Sequence, residues 1–311
     1  MKGLGKMVTR VQQYLAYRRS LGYVLREEGR LLLDFGRYAD RTGHRGPLTL
    51  DLSLRWARLP TRVDPAYWAR RLQAVRCLAK YLAVFEPQTV IPPARILGRA
   101  FVRKVPHIYS PSELAQVLRA ARQLPPRGSL RSDTCFTLIG LMACTGMRVG
   151  EAVRLSVHDV DLQAGIITVR RSKLHETRIL PLHPSTLQPL RRYHRQRQAL
   201  FPKAQTFFVS MRGTGLAVKT VEIIFHGLVA GLKGRGSRPS PRLTDLRHSF
   251  ACEVLLKWSR AHHDLDHDLL LLMHYLGHSK LRDTYWYLTG VPELLRRAAA
   301  IFENPQPRPP E

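Results

Sequence analysis

The chain has 311 residues, 44% of them apolar, which is ordinary for a folded globular protein and enough for two domains with cores of their own. Fifty Lys and Arg face 23 Asp and Glu, a formal net charge of +27 with a sequence pI near 10.9. No apolar run approaches the ~20 residues of a membrane span. The stretch from Met1 to Arg19 alternates charged with apolar positions, unlike a secretory leader, and predicts a cytoplasmic protein. Cys77, Cys135, Cys144 and Cys252 match no metal-ligand spacing and read as reduced core residues.

The positive charge is not confined to a tail, since residues 1–100 carry a net +12 and residues 101–311 the remaining +15. Such an excess repels itself in a compact state and calls for a polyanionic partner, nucleic acid being the usual one. Arg far outnumbers Lys, which favours bidentate phosphate contacts over point-charge attraction. A high-pI proteome is the bland alternative. A membrane surface is a poorer one, because no segment joins a long basic face to a Trp- and Leu-rich one.

Residues 7–85 read as helices. Val11, Tyr14, Leu15 and Tyr17 set one apolar stripe, and Leu31 to Phe35 with Tyr38 set a second. Pro65 stands at a helix start, followed by Trp68, Leu72, Val75, Leu78, Tyr81 and Leu82 at helical spacing. Residues 87–106 contain Pro87, Pro92, Pro93 and Pro106 with little periodicity, the mark of an extended linker. Ser110-Pro111-Ser112-Glu113 then opens a helix with a capping Ser and a Pro in the first turn. A buried helix around 133–143 ends at Thr145-Gly146, and another is predicted from 147 to about 156. Residues 166–171 and 177–182 alternate as the strands of a hairpin, with Lys173, His175 and Glu176 between them, and 206–210 is a short strand that could join their sheet. Helices follow near 185–199, 218–232, 245–258, 266–276 and 281–289, with an amphipathic one over 291–303. The predicted fold is mainly α with a small β-sheet: a helical domain over 1–86, a linker over 87–106, a second domain over 107–303 and a Pro-rich tail over 304–311.

Several residues stand out against this frame. Arg148 lies in Thr145-Gly146-Met147-Arg148-Val149-Gly150-Glu151, between two apolar helices. Arg247 and His248 lie in Asp245-Leu246-Arg247-His248-Ser249-Phe250-Ala251, His278 ends Leu276-Gly277-His278, and Tyr287 lies in Thr284-Tyr285-Trp286-Tyr287. Each alone has an ordinary explanation. Arg148 could merely pair with Glu151, Lys173 could be a solvated turn residue, Gly277-His278 could cap a helix, and Tyr287 could be core.

In this order, over some 140 residues, the pieces form a specific signature. The chain resembles the tyrosine recombinase (phage integrase) family, strongly over about 107–303. It resembles the family more loosely over its helical N-terminal part, which is similar to the SAM-like core-binding domain. The resemblance implies a C-shaped clamp around double-stranded DNA and a site-specific recombinase of the mobile-element or Xer-like kind. Arg148 and Arg247 would grip the non-bridging oxygens of the scissile phosphate, with His278 adding a hydrogen bond. Tyr287 would attack to give a 3′-phosphotyrosyl link, which conserves the bond energy and needs neither cofactor nor metal, and Lys173 would protonate the leaving 5′-oxygen. Glu151 would orient Arg148. Tyr285 is the competing nucleophile, but two residues apart on a helix the side chains diverge by roughly 200°. Spacing from His278 selects Tyr287 and leaves Tyr285 to core or interface. A homotetramer on two DNA sites is implied, with accessory recombinases as further partners, and the 291–303 helix docking on a neighbouring protomer or on its own domain.

One position departs from the family. Three residues before Arg247 the family has His, and here stands Thr244, which cannot take a proton near neutral pH. Weakened cleavage is expected. The alternatives are a DNA-architectural accessory protein of the same fold and a relaxing enzyme of type IB topoisomerase character. If about ten phosphates are neutralised, log affinity for duplex DNA should fall against log salt with a slope of about −9. A filter-binding titration checks this, and a flat dependence would exclude phosphate contacts as the main attraction.

Overall fold

The computed structural model describes residues 6–101, 103–170, 177–232, 241–261 and 265–288. It divides into two compact units, Met1–Lys104 and Val105–Glu311. The first holds α1 (Met7–Ser20), α2 (Arg26–Arg41), α3 (Leu50–Arg58) and α4 (Pro65–Leu82). Local chemistry sets the starts of the last two: Thr49 accepts the Leu52 N–H, and Asp64 accepts the Ala66 N–H beside Pro65 at the first helical position.

Val11, Phe35, Trp56, Val75 and Leu78 are completely buried at the centre of this unit. Trp56 meets Phe35 edge-on at 5.2 Å and carries the Arg71 guanidinium 3.7 Å above its ring, while its Nε1 donates to Asp34. Tyr17, predicted in the α1 stripe, is 49% exposed, although its ring stacks on Tyr81. The proline-rich stretch after α4 is more than a spacer. Val90 donates its N–H to the Leu48 carbonyl at 2.8 Å, the Pro92 carbonyl accepts from Arg76 at 2.9 Å, and Leu97 packs on the helical core. Proline removes a donor but leaves its carbonyl free to accept, so the segment docks without forming a helix.

The second unit runs α5 (Pro111–Arg122), α6 (Leu130–Thr145), α7 (Val149–Ala152), β1 (Val160–Asp161), β2 (Ile166–Val169), β3 (Arg178–Pro181), α8 (Pro184–Leu200), α9 (Val218–Ala230), α10 (Asp245–Arg260), α11 (Leu265–Leu276) and α12 (Leu281–Tyr285). Ser110 and Glu113 close a reciprocal capping box at the start of α5. The core-facing α6 buries Leu138, Ile139, Leu141 and Met142 and packs on α5, α8 and α10. The sheet is antiparallel in the order β1-β2-β3, with Ile167 opposite Leu180 and Thr168 opposite Ile179. Ile167, Val169 and Leu180 turn inward while Ile179 is 61% exposed, as the period of two requires.

Two expectations fail for one reason. The helix predicted over 147–156 stops at Ala152, and the 206–210 segment stays outside the three-stranded sheet. Instead the chain around Ser156 pairs with that around Thr206: Val157 donates to Gln205 and Phe207 donates to Leu155. Burial of Phe207 and Phe208 sets that pairing, and its extended backbone ends the helix. The cysteines also differ from expectation. All four are free, but only Cys135 and Cys252 are buried, while Cys77 and Cys144 fall on exposed helix faces. Lys173, the 291–303 helix and the 304–311 tail lie outside the described residues. No helix among the described residues is long and apolar enough to cross a membrane.

Gly146, which caps α6, adopts φ +63°, and a Cβ there would lie 2.6 Å from the Phe250 ring. Left-handed strain and the clash add, so Gly146→Ala should destabilise the second unit by about 3 kcal/mol. Urea unfolding of the full chain measures this.

Candidate active site

The side chains singled out in the sequence converge where α6 and α11 end. Just past Gly146, Arg148 occupies the N-cap position of α7. Its Nη1 donates to Glu151 Oε1 at 2.9 Å, its backbone N–H to Glu151 Oε2 at 3.0 Å, and its Nη2 to the Gly277 carbonyl at 2.9 Å. Arg247, in the first turn of α10, is 7% exposed. Its Nη1 donates to the Gly146 carbonyl at 2.9 Å and its Nη2 to the Leu276 carbonyl at 2.6 Å. All three carbonyls belong to helix C-terminal ends, where acceptors lack intrahelical donors and the macrodipole favours a cation. A guanidinium has five N–H groups, so these anchors leave donors on both arginines for an anion.

Burial lowers the Arg247 pKa and Arg148 acts in the same direction, while the Tyr287 phenol and Glu151 oppose them. An arginine nevertheless stays charged at any working pH. For Glu151, burial alone would raise the pKa. The hydrogen bonds and charge of Arg178, with those of Arg148, outweigh it and hold the carboxyl at about 2.

Gly277 ends α11 at φ +65°, and the His278 N–H closes the turn on the Met273 carbonyl at 3.0 Å. The capping explanation of Gly277-His278 therefore holds for the backbone, and it aims the ring into the site. His278 Nδ1 lies 2.9 Å from Thr284 Oγ1 and Nε2 lies 3.3 Å from the Tyr287 hydroxyl. Burial, then the charges of Arg247 and Arg148, push the His278 pKa down to about 3, with Asp283 opposing. The imidazole is neutral at ordinary pH.

Tyr287 is 3% exposed and packs with Cys252, Leu255, Leu272 and Leu276. The two tyrosines do not share a helix as predicted. Helix α12 ends at Tyr285, and Tyr287 follows in a turn whose N–H reaches the Thr284 carbonyl at 3.0 Å. Tyr285 is 43% exposed, so it is not core.

Arg148, Glu151, Arg247, His278 and Tyr287 are thus brought together. Thr244 is exposed at the N-cap position of α10 with no side-chain capping bond, and its backbone hydrogen-bonds the His248 ring. It lines a cavity of about 520 Å³ with Lys219, Phe225 and His226. Two neighbours had been given no role from the sequence: Arg178 was not singled out, and His248 was named only beside Arg247. The His248 ring meets Tyr287 edge-on at 5.1 Å, and Arg178 bonds Glu151 at 3.2 and 2.7 Å. For Arg178 a signal existed: it shares the face of β3 with buried Leu180, so strand alternation turns a charge inward. Among the described residues no group of three or more His, Cys, Asp and Glu could hold a metal ion.

A mainly helical unit with a short antiparallel sheet, holding a tyrosine among anchored guanidiniums, is the combination expected of a tyrosine recombinase. Residues 110–291 match the Phage integrase family. The chain is 40% identical over 304 residues to "Putative integrase/recombinase y4rB" of Sinorhizobium fredii, covering 94% of this chain and 96% of that one. In structure it is similar to the Tn1549 transposon integrase in complex with transposon right end DNA (TM-score 0.69, 16% identity, 97% of this chain and 100% of that one). It is also similar to a lambda integrase tetramer bound to a Holliday junction (TM-score 0.64, 17% identity, 92% and 77%). The chain belongs to the phage integrase family, the tyrosine site-specific recombinases.

Because His278 titrates near 6.5 when unfolded and about 3 when folded, the unfolded chain binds more protons between those values. Stability present above 6.5 is lost as pH falls toward 3. His278→Gln should shrink the loss seen between about pH 7 and about pH 5 in urea titrations.

Proposed function

We propose that this recombinase cleaves and rejoins double-stranded DNA through Tyr287. The observation that carries the reading is the Tyr287 hydroxyl, 3.3 Å from a neutral His278 Nε2 and beside the buried Arg247 guanidinium. Arg148 and Arg247 grip the non-bridging oxygens of the scissile phosphate with the donors their carbonyl anchors leave free. The Tyr287 oxygen attacks phosphorus as the bond to the 5′-oxygen breaks, and its proton leaves along the hydrogen bond to His278 Nε2, an imidazole that the negative phosphate makes more basic by offsetting the charges of Arg247 and Arg148. Lys173 protonates that oxygen, leaving a 5′-hydroxyl and a 3′-phosphotyrosyl link. A 5′-hydroxyl from a partner strand then attacks the link, restoring the phenol and joining new ends. No nucleotide is consumed, since each ester bond broken is replaced by another.

In this scheme His278 takes the proton that Thr244 cannot, which supports turnover despite the departure from the family pattern. Thr244 is also what favours the second reading, a DNA-architectural protein of weak cleavage. By analogy with the transposon integrase and the lambda integrase tetramer, the chain binds DNA and assembles on it. A tetramer on two sites accounts for the four strand cleavages of an exchange, and a mobile element held in the cytoplasm is its fitting substrate. The segment 291–303, predicted from the sequence as an amphipathic helix with Leu294, Leu295, Ala298 and Ile301 on one stripe, is the proposed link between protomers.

Incubation with a nicked duplex carrying the cognate end should yield a denaturant-resistant protein–DNA adduct that Tyr287→Phe abolishes. Salt-sensitive binding without an adduct would favour the architectural reading. Arg148→Lys and Arg247→Lys should each slow adduct formation roughly 10²- to 10³-fold, the loss typical of removing a donor from an oxyanion site. Thr244→His should speed it if Thr244 limits the rate. Deleting residues 291–311 should leave DNA binding intact while abolishing higher-order complexes in native gels.

A further inference from the structure

The strand leading out of the hairpin carries a charge that the proposed reaction leaves unused. Arg178 opens β3 with its side chain only 11% exposed. Its Nη1 donates to Glu151 Oε1 at 3.2 Å and its Nη2 to Oε2 at 2.7 Å. Glu151 accepts twice more from Arg148, from Nη1 on Oε1 and from the backbone N–H on Oε2. An ionised carboxylate offers about four lone-pair sites, so this one is saturated. Its rotation is fixed by two groups arriving from different elements.

Arg178 also reaches the other anchor of Arg148. A Cβ on Gly277 would lie 2.9 Å from Arg178 Nη1, and the Gly277 carbonyl is what Arg148 Nη2 bonds. Both partners of Arg148 thus lie against one guanidinium. The Arg148 side chain needs such help, because it is 36% exposed and rich in rotamers, and clamping a phosphate requires one of them.

We propose that Arg178 is a positioning residue for strand cleavage, setting Arg148 against the scissile phosphate by locking Glu151 and packing on Gly277. This rests on Arg148 acting as a phosphate clamp. The charged groups facing Glu151 are Arg148 from the N-cap of α7, Arg178 from β3 and Arg247 from α10. Without Arg178 the buried carboxyl loses its strongest partner and its pKa rises.

The test compares the full-length parent with Arg178→Met and Arg178→Lys on the nicked duplex, measuring DNA affinity and adduct rate separately. Affinity should change little, while the Arg178→Met adduct rate falls roughly 10- to 100-fold, the scale of a small misplacement of a reacting group. Arg178→Lys should recover part of the rate, because it restores the charge without the fork. In Arg178→Met the rate should also climb as pH rises through the shifted carboxyl pKa, where the parent is flat. Placed in a Glu151→Gln background, Arg178→Met should cost far less, since the partner it acts through is gone. An undiminished cost there, or no cost in the parent background, overturns the proposal. A second readout is independent of cleavage: ¹³C-carboxyl NMR of labelled glutamate, with Glu151 assigned through Glu151→Gln. If Glu151 titrates in Arg178→Met, or in the neutral Arg178→Gln should the former not fold, as low as in the parent, Arg178 does not hold it. A parent that forms no adduct counts against Tyr287 chemistry, whereas the NMR titration judges Arg178 on its own.

Discussion

Two helix C-termini hold two guanidiniums, and the rest of the site is arranged around that contact. Arg247 is buried, and burying a cation without partners would cost several kcal/mol. Its partners are the carbonyls of Gly146 and Leu276, at the ends of α6 and α11, and Arg148 leans on the next carbonyl, that of Gly277. These acceptors are neutral. They satisfy hydrogen bonds and offer the negative end of a helix dipole, yet they do not cancel the charge. Carboxylates in the same places would have neutralised the arginines and left no excess positive charge for an anion. The one carboxylate among the described residues that bonds Arg148, Glu151, is itself shared with Arg178, so positive charge remains in excess around it.

The same helix ends explain why ordinary and functional explanations coincide at these residues. Gly146 and Gly277 both turn the chain with positive φ, and in each case a basic side chain follows or faces the turn. Arg148 caps α7 with its backbone while its guanidinium crosses to α11. His278 closes the end of α11 with its N–H, and the direction this imposes sends its ring to Tyr287. Tyr287 is a core residue by packing, and burial of its ring among α10 and α11 side chains brings its hydroxyl to the polar edge of that core. Structural economy of this kind hides a site from any residue-by-residue inspection.

Much of the fold was legible because its signals are local. Ser110-Pro111 and Asp64-Pro65 mark helix starts, Gly146 marks a stop, and Ile167, Val169 and Leu180 fall on one buried face by the strand period of two. The errors fall where distant backbone intervenes. The 147–156 helix was lost to pairing between Ser156 and Thr206, a partnership no local pattern announces. The 87–106 segment docks through the Pro92 carbonyl and the Val90 N–H, contacts invisible to a reading of proline as a breaker. In the candidate site, Arg148, Glu151, Arg247, His278 and Tyr287 were singled out by their order along the chain, and the fold brings them together. Arg178 and His248 were not assigned, because what distinguishes them is a neighbour in space.

What the sequence alone determined is the chemical inventory: an excess of guanidinium charge, the tyrosine and its spacing from Gly277-His278, and the loss of an imidazole at Thr244. These are matters of residue type and interval, which survive without coordinates. Only the tertiary structure decided which acceptors hold each arginine, which imidazole nitrogen meets the tyrosine hydroxyl, and that one carboxylate serves both Arg148 and Arg178. The physical reason is that hydrogen bonds and burial act over a few ångströms between groups more than a hundred residues apart, as Arg247 and the Gly146 carbonyl are, and packing alone brings them together.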